Sequence, residues 1–320
     1  MTNHEFQTHR LIATKAGFGQ GVLEAGQAHK NLVVLGADIT ASVGLDAFAN
    51  KFPERFFSFG IAEQNCIGVA AGMALSGLLP VFSTYGVFAA LRTTDQIRIS
   101  LCYNNLGVII GGAHAGLSVG PDGATHQALE DIAIMRVLPN MTVINPCDAT
   151  QAHLAVLEAA KNIRGPVYIR FGREPVPDFT TPDMDFEIGK AQLLKSGNDL
   201  AIFASGHMVW EGLQAAYLLQ KKGISCRVIN LHTIKPIDQE CIKNTAQECG
   251  RIVTIEEHQL AGGVGSAVAE VVVQHYPVPM CMIGVNDCFG ESGKPEELLA
   301  KYGLNCSVIV DKILNFIRNT

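Results

Sequence analysis

Residues 60–82 read GIAEQNCIGVAAGMALSGLLPVF, and how they are taken decides the fold. From residue 64 to residue 91 the chain carries no formal charge. A run of that length can cross a bilayer. Its interior argues against it. Ser76, Pro80, Ser83, Thr84 and Tyr85 interrupt it, and Pro80 divides it into a small-residue helix over 62–77 and a strand over 80–84. The run therefore reads as a helix and strand buried in a large α/β core, with no membrane partner. Glu63 stands at its mouth. A carboxylate entering such surroundings needs a partner or must keep its proton.

Working outward, the chain alternates apolar runs with segments of helical spacing. A helix is expected over 11–30 and a buried strand over 31–38, NLVVLGAD. After the central stretch come a helix over 86–101, a strand over 106–112 and a polar loop, HAGLSVGPDGATHQ, over 114–127. A helix over 128–136, a strand over 141–146, a helix over 148–161 and a strand over 166–171 follow. The segment REPVPDFTTPDMD, 173–185, is rich in proline and acid and reads as a linker. Beyond it strands over 199–206, 225–231, 251–257 and 278–285 alternate with helices over 208–222, 238–248, 264–275 and 307–318. The fold class is α/β: two consecutive parallel-sheet domains, 1–173 and 187–320, joined by a linker at 174–186.

Composition narrows the function. Hydrophobic residues make up 48% of the 320 and charged residues 17%, which suits large cores rather than disorder. The net charge of −6 comes with no basic stripe, which excludes nucleic acid as the expected partner. Nine scattered cysteines form no C-x-x-C pair, which argues against a zinc site and suits a reducing cytoplasm. The N-terminal MTNHEFQTHR lacks the apolar core of a signal peptide.

In parallel sheets ligands sit at the carboxyl ends of strands. Asp38 and Ser42 follow the strand over 31–38. His114, Asp122 and His126 follow 106–112. Arg170 and Arg173 end 166–171. No phosphate loop or metal-spaced cluster is present. The residues form no nucleophile–base pair, so the chemistry is expected to come from a cofactor.

GIAEQN (60–65), FSTYGVF (82–88), HAGLSVGPDGATHQALEDIAIMR (114–136) and LPNMTVINPCDA (138–149) resemble the pyrimidine-binding half of thiamine-diphosphate enzymes. The likeness is greatest to transketolases, in the form of a separate C-terminal-half subunit, and covers essentially the whole chain. It implies that Glu63 meets N1′ of the cofactor's aminopyrimidine. A carboxyl taken out of water holds its proton more tightly and can share it with a ring nitrogen. A glutamate there also suits the positive end of a helix dipole. Phe88 matches the aromatic that stacks on the pyrimidine, with Tyr85 nearby, and a third aromatic of the family is replaced by Leu91. His114, Asp122 and His126 match contacts to the donor sugar, with His126 close to the reacting centre as a catalytic residue beside Glu63. Ser42 and Arg173 match the sugar-phosphate end. Arg170 takes that part if the register is one turn of strand off. Lys15 replaces an arginine of the family and supplies charge without the bidentate fork. Asp38 is a helix cap or a wall of the site. Glu256, Glu257 and His258 read as structural or interfacial.

The family's diphosphate domain carries a GDG motif that helps hold Mg2+ and the pyrophosphate, and no GDG occurs here. The resemblance therefore implies a partner chain, an N-terminal-half subunit holding Mg2+, in an α2β2 assembly with no metal on this chain. The activity implied is ketol transfer between sugar phosphates. Other readings stay open: a 2-oxo acid dehydrogenase β-subunit, a deoxyxylulose-phosphate synthase-like half, and a non-catalytic interaction subunit. The histidines of the 114–127 loop disfavour the first of these three, the position of His114 the second, and the intact set of Glu63, Phe88, His114 and His126 the last.

Overall fold

A computed structural model describes residues 10–162 and 164–320. The first nine residues of the N-terminal stretch lie outside the described residues. Two α/β sheets make up the body. The first has seven strands in the order Thr233–Lys235, Thr142–Ile144, Val167–Arg170, Ile109–Ala113, Leu79–Tyr85, Leu32–Gly36 and Phe56–Ser58. All of its pairings are parallel except that of Thr233–Lys235 with Thr142–Ile144. The second has five, in the order Met280–Val285, Ile252–Gln259, Leu200–Ala204, Cys226–Asn230 and Gln192–Lys195, and only the last pairs antiparallel. Every residue of Leu32–Gly36, Ile109–Ala113 and Leu200–Ala204 is buried, because helices cover both faces of the sheets.

The 60–82 stretch folds as a helix, Glu63–Leu75, and the strand Leu79–Tyr85. Gly77, at φ +84°, turns the chain between them, a conformation that favours glycine. Among the described residues no helix is long and apolar enough to cross a membrane.

Three readings of the sequence need correction. The helix expected over 11–30 starts at Thr14, because Leu11–Ala13 pairs antiparallel with Pro175–Pro177. That pairing also puts order into the expected linker. Just beyond it, the backbone N–H groups of Phe179 and Thr180 donate to Asp148 at 2.9 and 2.6 Å. The helix expected over 86–101 is not regular. It winds in wide π-type turns over Phe88–Arg92 and Ile97–Tyr103. The hydroxyls of Thr93 and Thr94 take the carbonyls of Ala89 and Ala90, which competes with the regular ladder there.

The two halves share one interior. An apolar cluster runs from Phe82, Ile110 and Met135 through Val143 to Leu231, Ile234 and Phe203. The strand Thr233–Lys235 belongs to the second half by sequence and to the first sheet by pairing.

Candidate active site

Three adjacent parallel strands deliver the polar residues to one edge. Tyr85 is the last residue of Leu79–Tyr85, His114 follows Ile109–Ala113 directly, and Arg173 lies just beyond Val167–Arg170. The structure brings four rings together. Tyr85 lies 4.2 Å from His114, 5.6 Å from His126 and 5.8 Å from Phe88, and Phe88 lies 5.5 Å from His126, between centroids. His114 has a positive φ of +54° and only 3% exposure. Burial pushes its pKa down to about 4, helped by the positive charges of Lys15 and Arg173. Its ring is therefore neutral near pH 7, and among the described residues its buried Nδ1 has no partner. Such orphaned atoms are uncommon, and a ligand hydroxyl would satisfy this one.

Glu63 begins its helix and is 3% exposed. Its partner within the chain is Arg92, whose Nη1 lies 2.7 Å from Oε1. The Arg92 guanidinium also sits over the Phe88 ring, 4.2 Å from the centroid. Phe88 and Arg92 are four residues apart on one turn, so a single face carries the aromatic and the cation. The sequence reading did not single out Arg92. A signal was there, since Arg92 is the residue that ends the uncharged run. Leu91 points largely to solvent, at 49% exposure.

The cationic end is less compact. Arg173 is tied to Asp122 at 3.0 Å and to Glu174 at 3.4 Å. Lys15 acts with Arg173 on His114 through charge. Ser42 lies in the 40–44 turn. That turn packs so closely on the helix Thr14–Ala28 that a Cβ on Gly44 would stand 2.6 Å from the Lys15 carbonyl oxygen. Among the described residues, neither Ser42 nor Asp38 has a side-chain hydrogen bond to the ring cluster; Asp38 is exposed, at φ +67°.

Arg170 is not available to a phosphate. It is 4% exposed, its Nε donates to Asp131 at 2.9 Å, and its Nη2 donates to the carbonyls of Ala128 and Glu257 at 3.0 and 2.9 Å. Glu256 accepts from the first N–H groups of the helix Val264–His275, and burial pushes its pKa up to about 7. His258 is fully buried beside Asp131. Among the described residues no group of three or more His, Cys, Asp or Glu is arranged to hold a metal ion.

A buried glutamate at a helix start, beside an aromatic and two histidines at parallel strand ends, can be compared with known proteins. Residues 10–178 match the family described as transketolase, pyrimidine binding domain, and residues 189–309 match transketolase, C-terminal domain. The chain belongs to the transketolase family. Its transketolase relatives include separate subunits of similar length. One is a 6-deoxy-6-sulfo-D-fructose transketolase subunit from Clostridium sp., 40% identical over 90% of this chain and 89% of that one. Another is an apulose-4-phosphate transketolase subunit from Phocaeicola vulgatus, 38% identical over 97% and 99%. A solved split-gene transketolase, an inactive β4 tetramer, is 48% identical with a TM-score of 0.90, covering 96% of this chain and 99% of that one. This transketolase chain is thus similar over nearly its whole length to subunits of split transketolases, and its family implies dependence on thiamine diphosphate.

Proposed function

We propose that this chain supplies the pyrimidine side of a thiamine-diphosphate site and, with a partner chain, moves a two-carbon ketol unit from an anionic ketose to an aldose. The Glu63 corner carries the reading. One carboxylate oxygen is held by Arg92, and among the described residues nothing donates to the other. An aminopyrimidine fits these groups, since it offers a ring nitrogen to the carboxyl and a flat face to Phe88. When bound, thiamine diphosphate supplies the electron sink that lets the bond beside a ketose carbonyl break and re-form.

The chain's own residues would then do the following. Glu63 exchanges a proton with N1′ of the pyrimidine, and Arg92 holds the carboxylate in place. Phe88 stacks on the ring, with Tyr85 packed behind it. His126 moves a proton at the reacting oxygen of the donor. His114, neutral near pH 7, meets a donor hydroxyl, and Asp122 accepts from another. Lys15, Ser42 and Arg173 bind the anionic tail, where phosphate competes with Asp122 for Arg173. The two relatives named above act on ketoses ending in a sulfonate and a phosphate, which supports an anionic ketose as donor. We place Mg2+ on the partner, an N-terminal-half subunit, in an α2β2 assembly. We assign the cytoplasm, which suits nine free thiols. Domain limits of 1–173 and 187–320 remain our division of the chain.

The test is Glu63→Gln in the reconstituted pair. Turnover is expected to fall by about 10²–10⁴-fold with the fold intact by circular dichroism. Unchanged turnover would remove Glu63 from the chemistry.

A further inference from the structure

The loop over 114–127 belongs to the first half of the chain, but residues of the second half hold it. Glu257, near the end of the strand Ile252–Gln259, is 3% exposed. Its Oε1 accepts from the backbone N–H of Ser118 at 2.5 Å, and its Oε2 accepts from the Ser118 hydroxyl at 3.2 Å. The carboxylate lies against Gly116, where a Cβ would stand 2.2 Å from Oε2. Gly116 has φ +82°, so both its conformation and its contact favour glycine. On the far side of the carboxylate, His207 Nδ1 is 3.3 Å from Oε2.

The carboxyl end of the loop is tied the same way. The Gln127 side chain donates to the carbonyls of Leu117 and Glu291 at 3.1 and 3.0 Å. Arg170 joins the Ala128 carbonyl to that of Glu257 itself. A buried carboxylate is costly unless its oxygens are satisfied. Here the loop's Ser118 supplies two of the groups facing it and His207 a third, so removing the carboxylate frees the loop and strands the two Ser118 donors.

We infer that Glu257 is a positioning residue for the substrate loop: by clamping Gly116–Ser118 it fixes where His114 and His126 stand. The second half of the chain thereby takes part in substrate recognition as well as in assembly. This rests on the reading above that the two histidines meet the donor sugar.

The test has arms on the chain alone and on the assembled enzyme. Hydrogen exchange and histidine NMR are measured on the chain alone for wild type, Glu257→Gln and Glu257→Ala. Exchange over 114–120 should rise at least about tenfold in Glu257→Ala, with the helix Glu63–Leu75 unchanged. The His114 titration should move up from about 4 toward the ordinary histidine value as its ring becomes hydrated. Glu257→Gln keeps an acceptor for Ser118 N–H and should fall between. If the alanine variant does not fold, Glu257→Gln and Ser118→Ala decide by the same readouts. In the reconstituted pair, assayed with 6-deoxy-6-sulfo-D-fructose and with apulose 4-phosphate, Glu257→Gln should raise the donor KM at least about fivefold and leave thiamine-diphosphate affinity within about twofold. Wild-type loop exchange and a wild-type His114 titration in a folded variant would overturn the clamp. An equal loss of cofactor affinity would overturn the positioning role in favour of general destabilisation. His126→Ala in the same assay separates the two ideas: if it changes nothing while the exchange arm holds, the substrate reading fails and the clamp stands.

Discussion

The Glu63 corner and the 114–127 loop lie side by side and are built in opposite ways. The corner rests on the side chains around Arg92, which meets Glu63 and Phe88 and whose carbonyl accepts from Gln64, and its rim opens to solvent: Ile61 is 76% exposed and Leu91 49%. A Cβ placed on Gly60, Gly68 or Gly72 would meet nothing within 4 Å. The loop is held by buried side chains that grip its backbone, Glu257 on Ser118 and Gln127 on Leu117. Residues 111–120 are all buried, and a Cβ on Gly112 would stand 2.0 Å from Tyr168 Oη. One region is finished within the chain. The other has room on its outer side, where we place the partner that brings the rest of the cofactor site.

The same substitution should have opposite signs in the two regions. Gly112→Ala drives a methyl into the Tyr168 hydroxyl at the root of the loop. A loss of about 1–3 kcal/mol or more is expected in urea unfolding of the chain alone. A neutral result there would mean that the loop root is looser than its packing indicates.

Acid should act on the loop region next. His114 has a folded pKa of about 4, below the ordinary 6.5 of the unfolded chain. Between those values the unfolded state binds the extra proton, so this ring's contribution to stability is intact above about pH 6.5 and is lost as pH falls toward 4. Glu256, pushed up to about 7, acts with the opposite sign, so the comparison is made against a variant rather than on the total. Relative to wild type, His114→Gln should gain stability on acidification, by on the order of 3 kcal/mol at the bottom of the window. Parallel pH curves for the two proteins would show that the ring is hydrated.

The smallest effect belongs to the open helix. Gly68→Ala meets no atom and improves helix propensity, so it should stabilise the chain alone by about 0.5–1 kcal/mol. Destabilisation would mean that this face is already covered in the isolated chain.

What the sequence made legible differs between the regions for the same physical reason. Buried strands such as Leu32–Gly36 and Ile109–Ala113 announce themselves as unbroken apolar runs, and the residues after them fall at strand ends by connectivity. That is how His114 and Arg173 could be grouped from the sequence, whereas Tyr85 came from the resemblance. The edge strands Leu11–Ala13, Phe56–Ser58 and Thr233–Lys235 are three residues each, and their pairing partners determine them. Leu11–Ala13 pairs with residues more than 160 positions away, which no local pattern encodes. The π-type turns after Phe88 were hidden because threonine hydroxyls, not apolar spacing, set them. Arg92 and Glu257 were missed as partners because their targets are distant in sequence. Each meets its target across 29 and 139 positions of sequence. Arg170 was read as a candidate ligand from its place at a strand end, yet Asp131 and two carbonyls hold it in the interior.

The central claim is that the Glu63 corner is one side of a cofactor site completed by another chain. Calorimetric titration of thiamine diphosphate with Mg2+ into this chain alone, and into the chain reconstituted with an N-terminal-half transketolase subunit, tests it most directly. Saturable binding by the pair, with none by the chain alone at the same concentrations, is the predicted result. Tight binding and turnover by the chain alone would contradict it.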